Sequence, residues 1–182
     1  MHDNIMLDSR MTRAEALAGT KAPRSVIDAL HLLEVSYFSF DGRLHRGQLL
    51  LHEAIARDVR EIFRLIQATR FPVAGVVPIV RYQWSDAASM AANNSSAFNY
   101  RPVAGSDRLS HHASGRAIDI NPVQNPAVYR GGRIEPPGAV YDPGGAGAFS
   151  TASPILRAFL IRGWQWGAGF EAVRDYHHFQ KP

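Results

Sequence analysis

The middle of the chain reads Ser110-His111-His112-Ala113-Ser114-Gly115-Arg116-Ala117-Ile118-Asp119-Ile120-Asn121-Pro122. Two imidazoles lie in a polar segment, and a carboxylate follows inside an apolar run that is typical of a short buried strand. A buried carboxylate needs a compensating charge or hydrogen bonds, because burial removes its hydration. A metal ion shared with a neighbouring histidine would supply that charge. The alternative is that Asp119 accepts hydrogen bonds from loop amides or pairs with Arg116, with the histidines on the surface.

The end of the chain supplies a second cluster of the same kind, Asp175-Tyr176-His177-His178-Phe179-Gln180. The whole chain has only eight histidines, and four of them lie in these two clusters beside an aspartate. Such clustering is not expected by chance, and it favours a metal site. Zinc in catalytic sites commonly takes three protein ligands from His, Asp or Glu and keeps a position for water. The predicted ligands are His112, Asp119 and one of the last two histidines. Strand periodicity alone favours His177, since it would point to the same side as Asp175.

The pattern Ser110-x-His112-x-x-Gly115-x-Ala117-x-Asp119, followed by Asp175-x-x-His178-Phe179, resembles that of the zinc D-Ala-D-Ala metallopeptidases. This family includes VanX- and VanY-type dipeptidases and carboxypeptidases and the L-alanyl-D-glutamate endolysins. The resemblance extends over roughly residues 80–182 and more weakly upstream. It implies a single α+β domain of the hedgehog-like type, in which His112, Asp119 and His178 bind one Zn²⁺ per chain.

The resemblance also implies the catalytic residues. Asp175 would accept a proton from water and later return it to the leaving amine. Some relatives have Glu at this position, so the shorter Asp must approach more closely. An arginine just before the metal motif would stabilise the oxyanion, because fixed positive charge aimed at developing negative charge lowers the barrier. Arg101 is the candidate for this role, and Arg81 is the alternative.

Four further residues are predicted to contact the substrate. His111 and His177, the neighbours of the proposed ligands, would lie beside the metal or face the substrate. Ser110 would orient the loop or the substrate, and a simple turn residue is the alternative. Trp166 would line the cleft, with packing in the core or the cleft wall as the alternative. Relatives carry a second glycine and a tryptophan where this chain has Ala168-Gly169-Phe170, a departure that would reshape the cleft wall.

Composition limits the class of protein. With 182 residues and 46% hydrophobic content, the chain can form one domain with a sizeable core. The absence of cysteine excludes disulfides and thiolate metal sites, so a metal must be bound by His and carboxylate. The net charge of +4 favours anionic partners such as a cell-wall polymer, but no long basic run occurs, and we predict no nucleic-acid partner.

The sequence also bears on location. It contains no long apolar run of the kind that spans a membrane, and residues 1–35 lack an apolar segment behind a basic start. The resemblance places the protein at the cell envelope or outside the cell. We therefore expect that a leader was removed, that lysis releases the protein, or that it stays in the cytoplasm.

The rest of the chain predicts helices around a small antiparallel sheet. Residues 1–24 are expected to form a tail or short helices that wrap a domain spanning 25–182. Alternation in 35–40 and 48–52, separated by Asp41-Gly42, predicts a hairpin. Helical spacing predicts helices over 53–69 and 152–162 that pack on the side of the sheet opposite the cleft.

Two other segments carry weaker signals. Ser25 is a plausible cap for a short helix that extends to about Leu33. The segment Asn125–Ser150 is rich in Gly and Pro, which predicts a long loop that borders the substrate cleft.

The predicted activity is hydrolysis of peptidoglycan stem peptides next to a D-amino acid, of the D-alanyl-D-alanine carboxypeptidase or L-alanyl-D-glutamate endopeptidase type. The sequence does not separate these types. A catalytically inactive, zinc-holding cell-wall binding module of the same fold is the alternative. Asp175 distinguishes the two, because a binding module has no need of a carboxylate at the base position.

Overall fold

The computed structural model describes residues 5–182, in which the strands form three small sheets around a shared apolar core. The strands are β1 (Met6–Leu7), β2 (Leu30–Phe38), β3 (Leu44–His52), β4 (Ala117–Asp119), β5 (Ala127–Tyr129), β6 (Ile134–Glu135), β7 (Gln165–Trp166), β8 (Val173–Asp175) and β9 (His178–Gln180). The helices are α1 (Arg13–Ala16), α2 (Arg24–Asp28), α3 (Ala56–Ala68), α4 (Asp86–Ala91) and α5 (Pro154–Leu160). Single 3-10 turns lie at Glu53–Ile55, Ile79–Tyr82, His111–Ser114 and Gly167–Gly169.

The first sheet is the predicted hairpin with one added strand, in the order β1-β3-β2. Its two long strands are antiparallel, whereas β1 runs parallel to β3, so the sheet is not purely antiparallel as predicted. The hairpin also begins earlier than the sequence indicated. Leu30 to Leu33 pair with Leu49 to His52, and the predicted helix from Ser25 to Leu33 is therefore wrong beyond Asp28. Cross-strand pairing outweighs the local helical signal there.

The N-terminal segment lies against this sheet. Residues 1–4 of the predicted wrapping segment fall outside the described residues. Of the remainder, Met6–Leu7 pairs with β3, and α1 buries Ala16 against Leu30, Leu50 and Phe98. The domain boundary at residue 25 stays a prediction.

Helix α3 covers one face of the hairpin, as its spacing predicted. Its residues Val59, Ile62, Phe63 and Ile66 recur with helical periodicity and are fully or almost fully buried. Helix α5 packs beside it and is capped by Ser153, whose side chain accepts a hydrogen bond from the Leu156 amide. Both predicted helices are therefore confirmed.

The second sheet joins the middle of the chain to its end, in the order β4-β9-β7. Strand β4 is antiparallel to β9, and this register places Asp119 opposite His178 and Ile118 opposite Phe179. The apolar pair faces the core, where the Phe179 ring stacks on Phe159 with centroids 4.0 Å apart. Because side chains alternate along a strand, burial of Phe179 directs His178 to the other face.

The third sheet, in the order β6-β5-β8, lies within and beside the segment predicted as a long loop. Its strands contain two or three residues each, too few for an alternating pattern to be recognised. Asn125 anchors this region, since its side-chain amide contacts the carbonyls of Ile120 and Gly147 and the amide of Phe149. The prediction of an unstructured loop is therefore only partly correct.

Across residues 5–182, no helix has both the length and the apolar character that a bilayer crossing requires.

A polar cluster ties β1 to the hairpin on the side of the first sheet. The Tyr37 hydroxyl donates to Asp8, while His45 Nδ1 lies 2.8 Å from Asp8 and its Nε2 3.1 Å from Asp41. Burial opposes a charge on His45, but the two carboxylates outweigh it and raise the pKa of His45 above its ordinary value. A protonated His45 therefore stabilises the attachment of β1.

We predict that this contribution to stability is lost as the pH rises. Because the folded pKa of His45 exceeds its unfolded value of about 6.5, the stabilisation is complete below about pH 6.5 and disappears above the folded pKa. Urea unfolding of the wild type and of His45→Gln should give a larger difference in unfolding free energy at about pH 6 than at about pH 9. An equal difference at both pH values would contradict the assignment.

Candidate metal centre

The loop that presents His112 is shaped by two residues of the central motif. Ser110 caps the 3-10 turn at His111–Ser114, where its hydroxyl accepts a hydrogen bond from the His112 amide over 3.2 Å. Gly115 then adopts a left-handed conformation with φ +70°, and a Cβ there would lie 2.7 Å from both the His52 nitrogen and a Leu30 methyl. Glycine is therefore required for the chain to turn into β4 this close to the hairpin.

Three buried side chains converge beside this turn: His112, Asp119 and His178. His112 Nε2 lies 3.1 Å from Asp119 Oδ2 and 3.1 Å from His178 Nδ1. His178 Nδ1 lies 3.0 Å from Asp119 Oδ1. All three residues are less than a tenth exposed. Together they form a group whose nitrogen and oxygen atoms are positioned to share one metal ion.

Hydrogen bonds to the outer nitrogens test whether these histidines suit a metal. His112 Nδ1 donates to the carbonyl oxygen of Ala97, which leaves Nε2 with a lone pair directed at Asp119. His178 Nε2 donates to Gln180 Oε1 over 3.1 Å, which leaves Nδ1 with a lone pair directed at the same point. Two lone pairs and a carboxylate that face each other need a shared cation. Such outer hydrogen bonds are typical of histidines that bind metals, and the donor set fits zinc.

The charges in the group lead to the same conclusion. Burial alone would raise the pKa of Asp119, but the imidazoles of His112 and His177 hold it well below its usual range. Burial likewise disfavours a charged His178, yet contact with Asp119 raises its pKa. The buried carboxylate therefore keeps its negative charge and requires positive charge nearby, from a proton or a metal. A metal would displace the proton.

Asp175 and His177 adjoin this group at the end of β8. His177 Nδ1 donates to the Asn125 carbonyl over 2.7 Å, and its Nε2 lies 3.0 Å from Asp175 Oδ1. Burial disfavours a charged His177, but Asp175 and Asp119 outweigh it and raise its pKa to about 10. The contact with Asp175 lies off the direction of a hydrogen bond, so within residues 5–182 that oxygen has no hydrogen-bond partner.

Arg101 lies on the same cleft and is held by an acidic partner. Its Nη2 is 2.6 Å from Asp86 Oδ2, and both side chains are about one-third exposed, at 28% and 31%. Its carbonyl accepts a hydrogen bond from the Ser110 amide over 3.1 Å, which links it to the metal motif. The alternative, Arg81, is exposed on the 3-10 turn at Ile79–Tyr82 and does not line the cleft.

The remaining predicted substrate residues differ in placement. Ser110, His111 and His177 line the cleft together with the three candidate ligands. Trp166 is not among the residues that line it. Its indole donates to the Tyr176 carbonyl over 2.8 Å and stacks parallel to Phe179 at 6.5 Å. These contacts favour the packing role that the sequence left open for Trp166.

The cleft has a volume of about 520 Å³. Some of the residues that line it were not predicted from the sequence. Tyr129 and Glu135 form one wall, and the Phe170 ring lies 5.8 Å from that of His178. Tyr129 and Glu135 belong to the third sheet, whose strands are too short to show an alternating pattern in the sequence. Phe170 occupies the place where the chain departs from its resembling relatives, and that departure was the available clue.

Comparison with known proteins gives one finding. Residues 104–181 match a protein-family profile described as D-alanyl-D-alanine carboxypeptidase. This match includes all three candidate ligands and Asp175, whereas Arg101 lies just before it. Neither the curated proteins nor the solved structures give a significant match.

Gln180 is expected to affect the affinity of this centre for zinc, because its side chain accepts a hydrogen bond from His178. Gln180 Nε2 donates to Gln165 Oε1 over 2.9 Å, which turns its own oxygen toward His178 Nε2. We predict that Gln180→Leu weakens zinc binding by about 10- to 100-fold. Gln180→Glu should bind zinc at least as tightly as the wild type, because a carboxylate accepts the same hydrogen bond.

Competition with a chromophoric chelator measures these affinities without any assay of activity. Gln67→Leu, on α3, is the matched control and should bind zinc as the wild type does. Wild-type affinity in Gln180→Leu would show that the hydrogen bond is not needed.

Proposed function

We propose that the protein is a zinc-dependent peptidase of peptidoglycan stem peptides, a proposal supported by the match of residues 104–181 to a family profile described as D-alanyl-D-alanine carboxypeptidase. The bond cut would lie next to a D-amino acid, as in D-alanyl-D-alanine carboxypeptidases or L-alanyl-D-glutamate endopeptidases. The single observation that carries the proposal is the buried group of His112, Asp119 and His178, which faces an open cleft. A cell-envelope or extracellular location follows from this substrate.

The proposed zinc ligands are those three residues, each with one atom directed at a common point. When bound, zinc supplies a Lewis acid that polarises a peptide carbonyl and makes water a stronger nucleophile near neutral pH. The low exposure of these three side chains strengthens the charge interactions among them. Because the chain has no cysteine, zinc would be bound by nitrogen and oxygen donors such as these.

Asp175 is the proposed general base. Its carboxylate lines the cleft and is 21% exposed. It would take a proton as water attacks the carbonyl and return it to the leaving amine. His177 lies beside it, and the neighbouring carboxylates raise the pKa of His177 to about 10.

Arg101 is the proposed stabiliser of the oxyanion. Its guanidinium remains positive and lies in the cleft, where Asp86 fixes one of its nitrogens. Positive charge that is already in place when the oxyanion forms lowers the barrier. Ser110 and His111, on the same wall, are proposed to orient the peptide.

Two variants separate catalysis from metal binding. We expect Asp175→Ala to keep about one equivalent of zinc while kcat/KM falls by about 10²- to 10⁴-fold, because the proton acceptor is lost. His112→Ala should lose both the zinc and the activity. Asp107→Ala, an exposed carboxylate outside the cleft lining, is the matched control. Bound zinc is measured by mass spectrometry of metals, and turnover by the release of peptides from purified sacculi.

The fragments identify the bond that is cut and hence the type of peptidase. Zinc binding without any release of D-alanine or muropeptides by the wild type would instead support the inactive binding module. Equal activity in the wild type and Asp175→Ala would contradict the role of the base.

A further inference from the structure

Glu135 lies in one row with the proposed general base, across the third sheet. Ala127 is the register partner of Glu135 on one side and of Asp175 on the other. All three residues line the cleft, so their side chains share the face of the sheet that the cleft exposes. Two strand spacings separate the outer residues of the row, which corresponds to about 10 Å between Glu135 and Asp175.

The carboxylate of Glu135 is fixed by its own neighbours. The Tyr129 hydroxyl donates to Glu135 Oε2 over 2.9 Å, and Arg133 Nη1 lies 3.4 Å from Oε1. Burial and the hydrogen bond to Glu135 raise the pKa of Tyr129 to about 12, so this hydroxyl stays a donor at neutral pH. Glu135 therefore presents a carboxylate in a defined position.

The ion pair with Arg133 does not prevent Glu135 from binding a second cation. Its side chain is 60% exposed, stacks over the Tyr129 ring at 3.8 Å, and does not line the cleft. Exposed pairs of this kind contribute little free energy, and a carboxylate can accept more than two hydrogen bonds. The face of Glu135 that is turned to the cleft can thus bind a positively charged group of a ligand.

We propose that Glu135 forms a subsite for an ammonium group of the substrate, an inference that rests on the proposed peptidase function. An extended peptide advances about 3.3 Å per residue, so the ammonium group lies about three residues from the bond that is cut. The substrate class is therefore a peptide with a free amine at that distance, either the amino terminus of a short peptide or the side chain of a diamino acid. Arg101 and Arg108 also line the cleft, but both precede the metal motif in the chain and neither forms an ion pair with Glu135 within the described residues.

The test uses two peptides that contain a D-residue at the scissile bond and differ only in acetylation of that amine. Their affinities are measured by calorimetry with the zinc-loaded Asp175→Ala variant, which keeps the peptides intact. We expect the free amine to bind about tenfold more tightly than the acetylated form, as one charged hydrogen bond permits. When Glu135→Gln is introduced into the same variant, the two peptides should bind with about equal affinity.

Glu171→Gln, which removes another carboxylate of the cleft, is the matched control and should keep the preference. Thermal unfolding of each variant establishes that it is folded. The subsite is overturned if the starting variant binds both peptides equally, if Glu135→Gln keeps the preference, or if Glu171→Gln alone abolishes it. Binding reports on the subsite even without hydrolysis. A retained preference with no turnover by the wild-type zinc enzyme would reject the proposed function and keep the subsite.

Discussion

The pairing of β4 with β9 is the constraint on which the site depends. It joins residues that are far apart in the chain and places Asp119 directly opposite His178. A shift of the register by one residue would turn both side chains to the core and expose Ile118 and Phe179 instead. Because those apolar residues are fully buried, the core enforces the register, and the register brings the candidate ligands together.

The same segment also connects two sheets. Residues 173–180 leave the third sheet at Asp175, turn at Tyr176 and His177, and enter the second sheet at His178. The proposed base and the proposed ligand therefore lie on separate sheets but only three residues apart. Gly167 permits this, since a Cβ there would approach the Asp175 carbonyl to 2.5 Å and the His178 Cβ to 3.1 Å. The geometry of the candidate site thus depends on close backbone packing as well as on the polar groups.

Much of the site was accessible from the sequence because its residues occur in two short motifs. The buried group contains His178, as the resemblance implied, whereas strand periodicity favoured His177. Strand alternation does not apply between Asp175 and His178, because the backbone turns there, a feature that depends on tertiary packing. The hairpin, α3 and α5 were predicted because each is long enough to show a pattern. Glu135 and Tyr129 were missed because their strands are too short to show one, and their pairing partners are distant in sequence.

A crystal structure of the zinc-loaded protein, with anomalous diffraction collected at the zinc edge, tests the central claim most directly. We expect one strong anomalous peak bonded to His112 Nε2, an oxygen of Asp119 and His178 Nδ1, at about 2.0–2.2 Å from each. A peak at another position, or a loaded protein in which these three side chains do not contact the metal, would contradict it.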